Sequence, residues 1–294
     1  MEIPRDRGLE LRMLVATGID ALLLTCLAGI AGWVLLFVHG GAVAVLPVVV
    51  FIAIGWQLSE PPRVQAPDDV RPTGPEDSAR VRAALSRLSL IADTPTPDAH
   101  VTRGSAPLSW TVAYRNRQPT VHVTTELLDR LEDAQLEAVL AHELGHVVQR
   151  DAAVMTVLAG FPQYVFAGLR KWYVSGVGPF LVIFGLLLLP LAVALLAVSR
   201  IVSRYREFTA DRAAALITGS PAAVASALIA VDGRLLALPR SDLRMVGVSN
   251  SLLFVPARRP WLLGRLWATH PPVDKRLARL ARLEEDFQRS GPIG

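Results

Sequence analysis

The chain has 294 residues, of which 52% are hydrophobic and only 19% are charged, and its formal net charge is +4. Because the apolar residues are concentrated in blocks, the composition excludes an ordinary soluble domain and indicates a membrane protein. The chain has a single cysteine, Cys26, which excludes a disulfide framework or a thiolate metal site within one chain.

Two apolar segments lie near the N-terminus. Residues 13–38 carry a single charge, Asp20, and are long enough to cross a bilayer with some tilt. This segment is too long for a signal peptide and lacks a small-residue cleavage site. A second apolar segment, residues 42–58, follows after a very short connector. We therefore predict that residues 1–58 form an N-terminal transmembrane hairpin.

Arginines flank this predicted hairpin on both sides. Arg5, Arg7 and Arg12 precede the first segment, Arg63 and Arg71 follow the second, and the connector has no Lys or Arg. By the positive-inside rule, both ends of the hairpin are cytoplasmic. No aromatic residues are interleaved with the arginines, which favours lipid headgroups and argues against nucleic acid as a partner.

After the predicted hairpin, the composition of the chain becomes more polar. Residues 59–75 are rich in proline and polar residues and are predicted to form a linker. Apolar residues at helical spacing follow over residues 77–91. Next come two short β-prone runs, residues 109–114 and 120–125, which predict a small antiparallel sheet. An exposed strand edge there can hold a peptide in extended form by strand addition.

The hexapeptide Ala-His-Glu-Leu-Gly-His at residues 141–146 points to metal chemistry. His142 and His146 are four residues apart, so on a helix both imidazoles can reach one metal ion. Glu143 would then lie beside that ion, where it can take a proton from water. The alternative is a chance match on an amphipathic helix. Asp133 is predicted to cap the helix, whose buried stripe comprises Leu136, Val139, Leu140, Leu144 and Val147.

A long hydrophobic stretch, residues 152–199, follows the hexapeptide. Residues 178–199 are the clearest predicted membrane span of the chain. Residues 152–169 contain Pro162 and Gln163, and two readings stay open for them: a full span, or a buried or half-inserted helix.

A catalytic zinc needs a third protein ligand and one open position. Glu207 and Asp211 are four residues apart, so both face the same way on a helix. Glu207 can bind the metal while Asp211 accepts a hydrogen bond from a ligand imidazole. The alternative is that Glu207 pairs with Arg204 or Arg206 on a surface helix.

The last part of the chain contains two helix starts that proline marks. Ser220-Pro221 opens one helix, and Pro271-Pro272 opens a final one. Among the other histidines, His100 is predicted to lie in a loop and His122 in a strand, so neither is expected to bind metal. His270 lies directly before the two prolines.

Three separated motifs resemble those of the HtpX-like membrane zinc endopeptidases, which are related to the CAAX prenyl proteases. They are Ala141-His142-Glu143-Leu144-Gly145-His146, then Arg206-Glu207-Phe208-Thr209-Ala210-Asp211, then Thr269-His270-Pro271-Pro272 with Arg276. The resemblance covers roughly residues 75–285 and implies that Glu207 is the third zinc ligand. It also implies that His270 and Arg276 line the active site and steady the oxyanion or the substrate backbone.

The patterns described above and the resemblance together predict the fold and the biological setting. The fold would be mainly α with a small antiparallel β-sheet, a zincin-like metallopeptidase domain attached to transmembrane helices. Residues 76–151 would form the first part of the catalytic domain, residues 152–199 the membrane-embedded segments, and residues 200–294 the second part. The chain would be a multi-pass protein of the cell (inner or plasma) membrane with its catalytic domain in the cytoplasm.

The expected activity is hydrolysis of peptide bonds with one Zn²⁺ per chain. The resemblance suggests protein or peptide substrates, among them membrane proteins, in membrane-protein quality control. The chain departs from the family pattern at residues 109–114, where relatives often carry an Asn-Ala-Phe-Ala-like strand. Details of substrate binding along that strand therefore do not transfer.

Two rival functions remain. An intramembrane metalloprotease could use Asp232 as a metal ligand, but the charged residues around the His-Glu helix would be costly inside lipid. A catalytically silent membrane scaffold would be signalled by a lost ligand or base, and the motifs lack none.

Overall fold

The structure, a computed structural model, describes residues 6–39, 73–113, 118–151, 179–237 and 270–290, together with Val154 and Leu158. Its helices and strands are α1 (Arg7–His39), α2 (Pro75–Ile91), β1 (Asp98–Thr102), β2 (Ser109–Val112), β3 (Thr120–Thr124), α3 (Thr125–Arg130), α4 (Asp133–Gln149), α5 (Pro179–Thr218), α6 (Pro221–Ala237) and α7 (Val273–Ser290). The part of the chain that the structure describes is mainly helical, as predicted.

The chain divides into two compact units. The first combines Met1–Glu10, Pro62–Ala153 and Ser203–Gly294, and the second combines Leu11–Pro61 and Val154–Val202. The first unit contains the sheet, all of α2, α3, α4, α6 and α7, and the C-terminal part of α5. Every predicted site residue belongs to this first unit.

The core of the first unit is built around α4. This helix packs against α2, α6 and β2, and α6 packs in turn on α7. Leu136, Leu140 and Leu144 follow one another at helical spacing on α4 and are fully buried. Each contributes roughly 1.5–3 kcal/mol by leaving water. Four of the five residues of the predicted stripe are buried and Val147 is half-buried, so the stripe does face the core.

Specific residues define where α4 begins and ends. Glu132 is the N-cap, and its backbone N–H donates to Gln135 Oε1 at 3.2 Å. The prediction that Asp133 caps the helix is wrong, because Asp133 is its first residue and its carboxylate accepts a hydrogen bond from Arg80 Nη2 at 2.5 Å. At the other end, Arg150 adopts a left-handed conformation, with φ 54° and ψ 28°, and stops the helix.

The sheet is mixed rather than antiparallel, which corrects the prediction. Its strand order is β1-β3-β2, with β2 antiparallel and β1 parallel to the central strand β3. The two predicted strands correspond to β2 and β3. Strand β1 was not predicted. His100 lies in β1, so the prediction that it lies in a loop is wrong. Only Val101 of β1 is buried, so β1 lacks the alternation that marks a strand in sequence.

Both predicted helix starts in the last part of the chain are confirmed. Helix α6 begins at Pro221, and Ser220 Oγ caps it by accepting a hydrogen bond from the Ala223 N–H at 3.1 Å. Helix α7 begins at Val273, directly after the two prolines. These helices bring His270 and Arg276 back to the core of the first unit, where both side chains are buried.

The second unit is described in α1 from Leu11 onward and in α5 as far as Val202. On this part of α1, Leu11, Leu14 and Leu22 are 61%, 71% and 64% exposed. None of the helices in the described ranges combines the length and the apolar character needed to cross a bilayer. The predicted spans over residues 13–38 and 178–199 remain predictions.

Two other predicted membrane segments lie outside the described residues. These are residues 42–58 and, apart from Val154 and Leu158, residues 152–169.

Candidate metal centre

Helix α4 presents the three residues of the His-Glu motif to the interior of the first unit. His142 and Glu143 are completely buried, and His146 is 3% exposed. The two imidazoles are one helical turn apart, with ring centroids 4.8 Å apart and ring planes nearly perpendicular at 89°. Such an arrangement places two nitrogens on one side of the helix, as the four-residue spacing predicts.

Gly145 allows α5 to come close to α4 at this point. A Cβ atom at Gly145 would lie 3.1 Å from Ala213 Cβ and 3.3 Å from both the Cα and the carbonyl oxygen of Ala210. These distances are shorter than ordinary van der Waals contact, so a larger residue would push the helices apart. The close approach brings Glu207, on the facing side of α5, to the two histidines.

Three side-chain atoms converge where the helices meet. His142 Nε2 lies 3.6 Å from Glu207 Oε2, and His146 Nε2 lies 3.8 Å from Glu207 Oε1. The three potential ligand atoms are all within 4.8 Å of one another. Atoms bound to one tetrahedral zinc at about 2.0–2.1 Å are about 3.4 Å apart. The spacing and the two-nitrogen, one-carboxylate donor set therefore fit a zinc ion.

Each imidazole contacts a buried carboxylate through its other nitrogen. His142 Nδ1 lies 3.0 Å from Asp211 Oδ1, and His146 Nδ1 lies 2.9 Å from Asp151 Oδ2. An ionised carboxylate only accepts hydrogen bonds, so Nδ1 is the donor in both pairs. This tautomer leaves both Nε2 atoms able to bind a metal.

Asp151 is a site residue that sequence reasoning missed. It follows α4 directly, and a continued helix would have carried it past His146. The left-handed conformation of Arg150 instead turns the chain back, so that Asp151 reaches the imidazole five residues earlier. The available signal was an aspartate soon after the second histidine, but the backbone reversal that makes it useful was not visible in the sequence.

Three basic side chains surround the acids of the site. Arg276 donates to both oxygens of Asp211, from Nε at 2.7 Å and from Nη2 at 2.5 Å. Arg206 Nη2 donates to Glu207 Oε1 at 3.1 Å, and His270 Nδ1 lies 3.0 Å from Glu207 Oε2. The alternative partner that the sequence allowed for Glu207, Arg206, is thus present, but the pair is buried and not on a surface.

The charges of this buried cluster are unequal. Among the described residues, its guanidinium groups are Arg206 and Arg276, and its carboxylates are Glu143, Asp151, Glu207 and Asp211. With neutral imidazoles, the acids outnumber the cations by two. Buried charges are stable only when they are compensated, so a divalent cation matches this excess.

The pKa shifts reflect the pairing of opposite charges within the cluster. Burial disfavours the protonated imidazole, but hydrogen bonds with Asp211 and Glu207 outweigh burial and raise the pKa of His142 to about 9. Burial also favours a neutral Glu207, but His270, His142 and Arg206 hold the pKa of its carboxyl well below the usual range. The site therefore attracts positive charge strongly and keeps the candidate ligand Glu207 ionised.

The Glu143 carboxylate is held from the sheet side. Ser109 Oγ donates to Glu143 Oε1 and Thr111 Oγ1 donates to Glu143 Oε2, both at 2.7 Å. The sequence did not reveal the contact of these two hydroxyls with Glu143, because residues 109–114 predict only a strand that departs from the family pattern.

All the site residues proposed from the sequence lie in this one cluster. They are His142, Glu143, His146, Glu207, Asp211, His270 and Arg276. Asp232, the ligand of the rival intramembrane reading, lies on α6 and is not in the metal-ligand group found among the described residues. His122 stacks on Trp110 with ring centroids 4.9 Å apart. Burial, and to a smaller extent the charge of His100, lower the pKa of His122 to about 4.

Comparisons with known proteins identify the family to which the chain is similar. The profile of Peptidase family M48 matches residues 71–284. A protein called Protease HtpX homolog 2, from Methanosarcina mazei, is 35% identical over 219 residues, covering 72% of this chain and 74% of the relative. Protease HtpX homolog 1 from Streptomyces coelicolor is 38% identical over 226 residues, covering 72% and 73%.

A solved structure shares the fold. The crystal structure of S. mikatae Ste24p matches 92% of this chain and 67% of its own chain, with a TM-score of 0.50 and 18% sequence identity. At this identity the likeness concerns the fold alone.

Proposed function

Because the chain belongs to peptidase family M48, we propose that this protease is a zinc-dependent endopeptidase. One observation supports the proposal most directly. Two imidazole nitrogens and a carboxylate converge at distances that suit one zinc ion, and the motif that carries the histidines also carries a buried carboxylate, Glu143. His142, His146 and Glu207 would hold the ion, one per chain.

A bound zinc supplies Lewis acidity, which polarises the scissile carbonyl and lowers the pKa of water. The residues of the chain do the rest. Glu143 takes the proton from the attacking water and later passes it to the leaving amine. Asp211 and Asp151 hold the imidazoles by Nδ1, so that Nε2 of each would be free to bind the ion.

His270 and Arg276 are proposed to complete the active site. The resemblance assigns them to the oxyanion or the substrate backbone, and their observed contacts are with Glu207 and Asp211. A role on the oxyanion predicts that His270→Ala retains zinc and loses turnover. If zinc content and turnover fall together, the contact of His270 with Glu207 is its main contribution.

The proposed substrates are proteins or peptides, including membrane proteins in quality control. Among the described strands, β2 pairs only with β3, so its other edge can receive an extended peptide beside Glu143. We further propose a multi-pass protein of the cell membrane with its catalytic domain in the cytoplasm. Support comes from the apolar blocks, their arginine flanks and the exposed leucines of α1.

Zinc content and proteolysis of the purified full-length chain test the proposal. We expect one zinc per chain and cleavage of fluorescently labelled casein, abolished by a chelator and restored by zinc. Glu143→Gln should retain zinc and lower turnover by at least roughly 10²- to 10⁴-fold. A protein that binds no zinc, or a Glu143→Gln variant with normal turnover, would contradict it.

A separate measurement tests the membrane assignment. After cell fractionation, the chain should remain in the membrane pellet through alkaline carbonate extraction. Its release into the supernatant would refute integration into the bilayer without affecting the proposed chemistry.

A further inference from the structure

The Glu143 carboxylate receives one hydroxyl on each of its two oxygens. Ser109 Oγ lies 2.7 Å from Oε1, and Thr111 Oγ1 lies 2.7 Å from Oε2. Thr111 Oγ1 also lies 3.3 Å from the main-chain carbonyl oxygen of Glu143. All three residues are buried, with Ser109 and Glu143 completely inaccessible and Thr111 2% exposed. Hydrogen bonds of this kind, from a hydroxyl to a carboxylate, are short and strong.

The strand itself sets this geometry. Ser109 and Thr111 are two residues apart on β2, so both side chains point to the face that packs on α4. Trp110, between them, points to the opposite face and stacks on His122. Backbone pairing with β3 fixes the register of β2. The β-branched side chain of Thr111 is also stiff at χ1, so its hydroxyl has little freedom to move.

Two buried cations lie in the same cluster as the Glu143 carboxylate. The pKa of Arg206 is raised mainly by Asp151 and Glu207 and that of Arg276 mainly by Asp211 and Glu207, and in both cases Glu143 adds a smaller contribution. Two neutral hydroxyls on a fixed strand hold the Glu143 carboxylate toward the sheet without adding a further charge to the cluster.

We propose that Ser109 and Thr111 are positioning residues for Glu143, which keep the catalytic carboxylate in the orientation that accepts a proton from water. The inference rests on the proposed function, because it assigns Glu143 the role of general base. It concerns residues 109–114, the segment where the sequence departs from the family pattern.

Variants that remove or keep each hydroxyl test the proposal in the full-length, zinc-loaded protein. Thr111→Val and Ser109→Ala should each lower kcat for labelled casein by about 10-fold, and together by about 10²-fold, because small misplacements of a catalytic group have effects of this size. KM and zinc content should stay within about 2-fold of wild type, as expected for an effect on the transition state alone.

Matched controls separate positioning from packing. Thr111→Ser keeps the hydroxyl and should retain most of kcat, although it loses a methyl group. Thr102→Val makes the Thr-to-Val change on β1, which is separated from β2 by β3, and should leave kcat unchanged. Equal losses in Thr111→Val and Thr111→Ser would overturn the proposal, as would a rise in KM at unchanged kcat, which would assign the hydroxyls to the substrate.

Infrared spectroscopy of the metal-free protein gives a second readout that needs no activity. The carboxylate band of Glu143 is the band lost in Glu143→Gln, and it should shift in Thr111→Val and Ser109→Ala but not in Thr102→Val. An unshifted band would overturn the proposal. If wild type shows no zinc-dependent cleavage, the proposed function fails, and this measurement still decides whether the hydroxyls hold the carboxylate.

Discussion

The two imidazoles of the candidate metal centre each contact a buried carboxylate through Nδ1, yet the fold supplies the two carboxylates in different ways. Asp211 comes from a second helix, 69 residues beyond His142, and Arg276 of a third helix binds both of its oxygens. Asp151 comes from the same chain segment as His146, five residues further on. Its contact with a cation is longer, since Arg206 Nη1 lies 3.8 Å from Asp151 Oδ1.

Two kinds of structure thus meet one chemical requirement, a carboxylate behind each imidazole. We call the Asp211 and Arg276 side of the site the distant arm and the Asp151 side the local arm. The distant arm depends on the packing of α4, α5 and α7, whereas the local arm depends on the backbone conformation of Arg150. Damage to the packing should therefore harm the distant arm far more than the local one.

The largest effect is expected from Arg276→Met, which removes the cation of the distant arm. Asp211 would be left buried without its bidentate partner, and breaking a buried ion pair costs about 3–5 kcal/mol. Urea denaturation of the metal-free protein should reveal this loss in the free energy of unfolding. A loss below about 1 kcal/mol would mean that water or another group replaces the guanidinium.

Asparagine in place of each aspartate compares the two arms directly. Loss of a carboxylate behind a ligand histidine usually weakens metal affinity by about 10- to 100-fold. Asp211→Asn should lie at the upper end, because the substitution also removes the charged acceptor of the two short hydrogen bonds from Arg276. The contact of Arg276 with Glu207 is longer, at 3.7 Å. Asp151→Asn should lie at the lower end. Zinc competition titrations measure both affinities, and equal losses would show that the arms are equivalent.

Gly145→Ala should separate the arms through packing alone. The added methyl group would meet Ala213 and the backbone of Ala210 at 3.1–3.3 Å, and overpacking of this kind costs about 1–3 kcal/mol. Because the clash moves α5, it should weaken zinc binding through Glu207 and Asp211. Combined with Asp151→Asn, its effect on zinc affinity should be nearly additive. Strong coupling between the two changes would contradict the independence of the arms.

The smallest effect is expected from Arg150→Gly, at the turn of the local arm. A left-handed conformation costs a residue with a Cβ atom about 1–2 kcal/mol, and glycine avoids most of that cost. Arg150→Gly should therefore raise the melting temperature slightly and leave zinc affinity unchanged. Arg150→Val, which disfavours the turn, should lower zinc affinity to the level of Asp151→Asn. Equal behaviour of the two variants would exclude a role for this turn.

Residues related by helical periodicity were predictable because one helix decides their relation. The spacing of His142 and His146, and that of Glu207 and Asp211, put each pair on one face before any packing is known. Pro221 and the two prolines before Val273 marked two helix starts, because the preference of proline for the start of a helix is also a local property. The cap of α4 was misassigned by one residue, since Glu132 and Asp133 are chemically similar and only the backbone distinguishes them.

What remained hidden depended on contacts between distant segments or on one unusual backbone angle. Strand β1 was missed because its parallel partner β3 lies beyond β2 in the chain and its own pattern is polar. The contact of Asp151 with His146 depends on the positive φ of Arg150. The contacts of Ser109 and Thr111 with Glu143 depend on the packing of the sheet on α4.

Local spacing in the chain thus defined which side chains can bind a metal and which carboxylate can move a proton, because the geometry of a helix is the same wherever that helix lies. The packing of α4 against α5, α7 and the sheet decided what holds those groups still: Asp211 with Arg276 behind one imidazole, Asp151 behind the other, and two hydroxyls on Glu143. Hydrogen bonds act only over about 3 Å, and no pattern of residue spacing brings segments so distant in the chain that close without the tertiary fold.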